Sequence, residues 1–250
     1  MPKAAVLLLV LCACAPGEDD RTILAVGAHC GDMEISAGAV LARHARLGDR
    51  VVILHLTLGE RGNPKLSPEA HGAQKRREAL EAAKALGAEA LFGPYKDAEL
   101  PDDEPARRYV AGVIRSVKPT HVITHWKNSI HRDHAAAHAI VRDALLLASL
   151  EGVPVEGAPH RGVRGVYYAE NWEDDEEFRP YLYVDVTEDF ERWKDAVTKY
   201  EFIRGGVSSF PYLDYYVALA RVRGARSGHR YAVAFEVDGE SKKRVAGALP

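Results

Sequence analysis

The segment ILAVGAHCGDMEISAGAVLARHARLG occupies residues 23–48. Its first six residues, Ile23 to Ala28, are a short apolar run with the length and content of a buried strand. Residues 34–47 are rich in Ala and Leu and stop at Gly48, as a helix does when it ends on a glycine. Between the two lies HCGDME, residues 29–34, where strand gives way to helix.

The pattern repeats outward from there. RVVILHLTL (50–58) reads as a second strand and GERGNPKLS (59–67) as a loop. Ser67-Pro68 opens a helix that runs to about Leu86, with Ala79, Leu80, Ala83 and Leu86 at helical spacing and Gly87 as its stop. EALFG (89–93) is a short strand, 94–105 a Pro-rich acidic loop, 106–117 a helix, THVITHW (120–126) a strand and 132–149 an Ala/Leu-rich helix. Four alternations of strand and helix imply an α/β fold, a Rossmann-like three-layer sandwich whose mainly parallel sheet carries helices on both faces. Further on, 162–170, 181–187 and 230–237 are strand-like and 188–204 helical. Residues 22–250 read as one domain.

Composition narrows the function. The 250 residues are 47% hydrophobic and 28% charged, with a formal net charge of −3. That is no basic footprint for nucleic acid. The chain has no apolar run of ~18 residues that would cross a membrane. The N-terminus stands apart: Lys3, the apolar run Ala4 to Leu11, then small residues. Residues 1–14 therefore read as a secretory signal, followed by a linker at 15–21. Leu11 to Cys14 is similar to a bacterial lipobox, with Cys14 as the lipidated residue. The expectation is an exported protein, periplasmic or lipid-anchored to the bacterial envelope, touching membrane through that anchor alone. Cys30 is then the one remaining cysteine, which is no disulfide framework.

Two motifs carry the chemistry. His29 and Asp32 follow the first strand, on the rim where open parallel sheets bind ligands. HRDH (131–134) follows strand 120–126 and opens the next helix, so it reaches the same rim. His131 and His134 are i and i+3 on one helical face, and Asp133 could orient an imidazole. A His, an Asp and a second His with an open fourth position suit a catalytic zinc site, and iron(II) suits the same donors. Arg76, in the basic run 75–77, is a candidate for substrate hydroxyls or anions. His125 and Trp126, at the end of their strand, are candidates for the pocket wall, and Trp126 could stack on a sugar ring. His138 could chelate with His134, and Cys30 could act as a nucleophile or fourth ligand. Both also have plain structural readings.

The chain resembles the PIG-L/LmbE-like family of zinc N-deacetylases. The family's early A-H-x-D-D-x-E reads here Ala28-His29-Cys30-Gly31-Asp32-Met33-Glu34, and its later H-x-D-H reads His131-Arg132-Asp133-His134. TLGERG (57–62), KRREALEAAKALG (75–87), VDVTEDFERWKDAV (184–197) and RVRGARSGHRYAVAF (221–235) also match in order, so the resemblance covers about residues 22–238. It implies His29, Asp32 and His134 as metal ligands, His131 as the group that stabilises charge on the reacting oxygen, and Asp133 as the residue that holds His131. The implied substrate is an N-acetylated sugar or glycoconjugate of the N-acetylglucosamine type, hydrolysed to acetate and a free amine.

One position departs from the family pattern. The family's general base, the first of its two Asp residues, falls on Gly31. A positioned base contributes ~10²–10⁴-fold. Glu34 or Glu60 could replace it, His131 could serve as base as well as acid, or the substrate could bring its own carboxylate. The remaining alternative is a metal-containing, sugar-binding protein that does not turn over.

Overall fold

A computed structural model describes residues 21–242. The signal, the lipobox and all but the last residue of the linker lie outside the described residues. Among the described residues, no helix is long and apolar enough to cross a membrane.

One sheet takes every strand, from β1 (Thr22–Gly27) to β7 (Ala232–Glu236). The others are β2 (Arg50–His55), β3 (Glu89–Phe92), β4 (His121–His125), β5 (Gly165–Ala169) and β6 (Leu182–Asp185). The order is β3-β2-β1-β4-β5-β7-β6. The first five strands are parallel, and β7 runs antiparallel to both β5 and β6.

β1 is central. Ala25 pairs with Ile53 of β2 on one side and Ile123 of β4 on the other. Successive β1 side chains enter opposite cores, as a two-residue period requires. Ile23 and Ala25 pack under α2 (Gly38–Arg46), α3 (Pro68–Leu86) and α6 (Phe190–Val197). Leu24 and Val26 pack under α4 (Glu104–Val117) and α5 (Arg132–Ser149). Burial on both faces is why the strand reads as an unbroken apolar run.

Two sequence-based expectations change, and one helix is added. The helix expected over 34–47 is two, α1 (Asp32–Ser36) and α2, broken at Ala37. Trp193 Nε1 donates to Glu34 O at 3.0 Å, the carbonyl that the Gly38 amide would claim in a continuous helix. The helix expected over 188–204 ends at Val197. A further helix, α7 (Tyr212–Ser227), was not foreseen: it buries only Tyr216, Ala220 and Gly224, too narrow a stripe for the periodicity to show.

The sheet reverses its winding between β1 and β4, whose neighbours β2 and β5 lie on opposite sides. Loops leaving the C-terminal ends of two such strands diverge and leave a crevice. Both motifs stand there.

Candidate active site

Asp32, the first residue of α1, is the hub. Its Oδ2 accepts the His29 amide at 2.7 Å, which holds the turn between β1 and α1. The same oxygen lies 3.3 Å from His29 Nδ1 and 3.5 Å from His134 Nε2. Ligands held at about 2.0–2.2 Å from one tetrahedral ion stand about 3.3–3.6 Å apart. Both distances from Asp32 Oδ2 match the spacing of ligands on one divalent cation.

Carboxylates behind the imidazoles aim them. Asp174, in the loop after β5, accepts from His134 Nδ1 at 2.9 Å with one oxygen and from His125 Nδ1 at 2.9 Å with the other. With its Nδ1 proton so engaged, His134 presents the Nε2 lone pair toward Asp32. His29 is oriented the opposite way round: Nε2 faces Asp97 Oδ1 at 3.2 Å and Asp133 Oδ2 at 3.4 Å, leaving Nδ1 for Asp32.

Among the described residues, the groups of three donors that lie within 4.8 Å of one another are Asp32 with His125 and His134, His29 with His131 and His134, and His29 with Asp97 and Asp133; His29, Asp32 and His134 link the first two. In the first, His125 Nε2 lies 3.1 Å from Asp32 Oδ2, and against the effect of burial Asp174 and Asp32 raise the ring's pKa to about 9, so Nε2 turns a proton, not a lone pair, toward Asp32. The electrostatics favour positive charge at the centre. Burial opposes a charge on His29, yet Asp32, Asp133 and Asp97 outweigh it and raise its pKa well above the ordinary value. Burial holds His134 down to about 4. Asp32, although buried, is kept well below the usual carboxylate range by His29 and His134.

His131 is the N-cap of α5, and its Nδ1 accepts the Asp133 amide at 3.2 Å. Its ring centroid lies 4.6 Å from that of His29 and 4.9 Å from that of His134. Burial and the charge on His29 lower its pKa, which favours the neutral ring. Because Nδ1 accepts, the proton of that neutral ring sits on Nε2 and makes it a donor. His131 therefore does not double as a base. The expectation that Asp133 holds His131 through its carboxylate also changes. The Asp133 carboxylate accepts from Ala98 N at 2.7 Å and faces His29, and only the backbone of Asp133 touches His131.

A cavity of about 200 Å³ opens on this cluster, lined by His29, Asp32, His131 and His134 and also by Lys75, Glu173 and Phe202. The three residues expected to bind substrate lie elsewhere. Arg76 sits 4.0 Å above the Phe92 ring, while its neighbour Lys75 turns inward. His125 is fully buried beneath Asp32. Trp126 donates to Glu176 O at 3.0 Å and borders a separate cavity with His138. Cys30 is 1% exposed, and burial pushes its thiol pKa up, so it is no nucleophile at neutral pH.

Gly31 has φ 108°, and a Cβ there would lie 2.9 Å from Phe202 Cζ. Lys75 backs this ring, 4.1 Å from its centroid, and donates to Cys30 O at 2.6 Å. An aromatic wall thus stands where a side chain on residue 31 would point. Glu34 does not reach the cavity: it is fully buried and accepts from Tyr200 OH at 2.6 Å. Glu60 accepts from Asp97 N at 3.0 Å and lines another cavity beside Arg61. Glu173 does reach it, with Oε2 at 3.6 Å from His134 Nδ1 and a pKa pushed up to about 7 by burial and by the charges on Asp32 and Asp174.

Asp97, Glu173, Asp174 and Phe202 escaped the sequence reading. The available signal for two of them was the acidic run Glu173 to Glu177, a few residues after a rim strand.

Residues 24–145 match the model of the PIG-L family, described as GlcNAc-PI de-N-acetylase. This stretch is a PIG-L family domain, of the kind found in the LmbE-like deacetylases, which are metal-dependent. It is 29% identical over 216 residues to the 4-oxalmesaconate hydratase of Pseudomonas putida KT2440, an alignment covering 83% of this chain and 81% of the relative. It is 33% identical to the 1D-myo-inositol 2-acetamido-2-deoxy-alpha-D-glucopyranoside deacetylase of Thermobispora bispora, over 60% of this chain and 59% of the relative. The chain thus spans little more than half the length of that deacetylase. Among solved structures, the conserved protein TT1542 of Thermus thermophilus superposes with a TM-score of 0.77 at 29% identity, covering 87% of this chain and 94% of the other.

Proposed function

We propose that this protein is a metal-dependent hydrolase that removes the acetyl group from an N-acetylated sugar or glycoconjugate of the N-acetylglucosamine type. The observation that carries the reading is the meeting of His29 Nδ1 and His134 Nε2 at Asp32 Oδ2, beside a cavity into which His131 faces. These three side chains would hold zinc or iron(II). Such an ion, when bound, supplies Lewis acidity at the amide carbonyl.

The chain's own residues do the rest. His131, a neutral donor at Nε2, stabilises the negative charge that grows on the carbonyl oxygen as water adds. Asp174 keeps His134 in the tautomer that binds a cation, and Asp97 and Asp133 do the same for His29. Breaking the C–N bond releases acetate and the free amine. We also place the protein outside the cytoplasm, on the character of residues 1–14.

A second reading, hydration of an unsaturated carboxylate, is favoured by one observation: the hydratase relative aligns over most of both chains. The test is to measure bound metal in the native protein, then acetate release from a panel of N-acetylglucosamine conjugates and water addition to unsaturated di- and tricarboxylates. Metal with acetate release supports the hydrolase, and His131→Ala then keeps the metal and loses about 10²–10³-fold in turnover. Metal with hydration alone supports the second reading. Metal with sugar binding and no turnover supports a binding protein. Absence of metal from the native protein contradicts all three.

A further inference from the structure

We propose that Glu173 is the catalytic carboxylate of this site, taking the proton from the attacking water in place of the side chain that Gly31 lacks. The inference rests on the hydrolase reading above.

The first argument is position. Glu173 lies in the loop after β5, and both its neighbours are pinned. Asp174 gives one oxygen to each of two histidines, and its amide bonds Asn171 O at 2.9 Å. Tyr216 OH donates to Asn171 Oδ1 at 2.8 Å, and Glu173 O accepts from Ile130 N at 3.1 Å. A backbone held on both sides fixes where the side chain starts, at the wall of the cavity.

The second argument is availability. Three acidic residues line the cavity: Asp32, Asp97 and Glu173. Asp32 accepts the His29 amide and faces the imidazoles. Asp97 accepts the Arg61 amide at 2.9 Å and faces His29. Among the described residues Glu173 makes no side-chain hydrogen bond, and its nearest ion-pair partner, His134 Nδ1, directs its proton to Asp174 instead. Its side chain is 22% exposed, so water in the cavity reaches it. Glu173 is therefore the one carboxylate there with lone pairs to spare.

The third argument is elimination. Glu34 is sealed under Tyr200, Glu60 is tied to Asp97 in another cavity, and His131 carries its proton on the nitrogen that would have to accept one.

The step balances. The water oxygen bonds to the carbonyl carbon while one water proton passes to Glu173 Oε. The C–N bond then breaks, the same proton goes to the departing nitrogen, and Glu173 returns to carboxylate as the acid and amine leave.

The experiment compares the native full-length, metal-loaded protein with Glu173→Gln, Glu173→Asp and Glu173→Ala. For each, kcat and KM for acetate release are measured with metal content, thermal midpoint and substrate binding by calorimetry. The expected result for Glu173→Gln is a fall in kcat of about 10²–10⁴-fold with KM, binding and metal content unchanged. Glu173→Asp retains more turnover than Gln, added formate restores part of the turnover of Glu173→Ala, and crystals of Glu173→Gln soaked with substrate keep the amide intact. Near-native kcat in Glu173→Gln overturns the proposal and leaves the hydrolase reading standing. Loss of metal or of substrate binding in Glu173→Gln also overturns it, in favour of a structural role. No acetate release by the native protein overturns the hydrolase reading and this proposal with it.

Discussion

The ring of Phe202 fills the space that a side chain at Gly31 would need: its Cζ lies 2.9 Å from the position of a Cβ on residue 31. The backbone there has φ 108°, a region that L side chains rarely enter. Replacing Gly31 by Asp thus demands both an unfavourable backbone and a displaced ring. Gly31→Asp is expected to lose about 2–4 kcal/mol of stability and to gain no hydrolysis. Gly31→Asp with Phe202→Ala recovers part of the loss, because the backbone cost remains. Thermal melts of the two variants check this. A Gly31→Asp protein as stable as the native one and more active would contradict it.

Cys30 adjoins a metal-ligand candidate yet takes no part in the chemistry. Its side chain is buried, and burial raises the thiol pKa. Iodoacetamide at neutral pH is expected to label it orders of magnitude more slowly in the folded than in the unfolded protein. Rapid labelling with matching loss of activity would instead make Cys30 a nucleophile.

The fold was legible because the central strands are buried on both faces, and such strands announce themselves as apolar runs. Helices α3 and α5 were legible to the residue: Ser67 with Pro68 and Gly87 punctuate one, and HRDH opens the other. The break at Ala37 was not, because a tryptophan more than 150 residues away makes it. The rim motifs gave His29, Asp32, His131 and His134. The residues that aim them or wall the cavity come from three separate loops, and no spacing rule connects Asp97, Asp174 and Phe202 to those motifs. Charge does not distinguish Arg76 from Lys75 in the basic run 75–77; the turn of α3 sets Arg76 over Phe92 and Lys75 at the cavity.

Arg115 shows a second thing that sequence hides. It is 3% exposed and donates to the carbonyls of Leu147, Ala148, Leu150, Val155 and Gly157. It ties the C-terminal end of α5 to the loop beyond it: the carbonyls of Leu147, Ala148 and Leu150 also accept backbone amides, whereas Arg115 is the donor found for those of Val155 and Gly157. Arg115→Ala is expected to cost about 2–4 kcal/mol in denaturant unfolding. Metal content is expected to stay unchanged, since His134 lies about 20 Å away along the helix. An unaltered midpoint would show that water replaces the guanidinium.

Asp174 serves two histidines with one carboxylate. An amide in its place keeps one acceptor and turns a donor toward the other ring, so one imidazole loses its orientation. Asp174→Asn is expected to weaken metal binding by about 10–100-fold, read by competition with a chelator. Unchanged affinity would mean that the imidazoles are oriented by packing alone.

Anomalous scattering from crystals of the metal-loaded protein, collected at the absorption edge of the bound metal, tests the central claim most directly. One ion about 2.0–2.2 Å from His29 Nδ1, Asp32 Oδ2 and His134 Nε2, with a position open to the cavity, is the expected result. An ion held by His125 and not by His29, or no ion at all, would contradict the account.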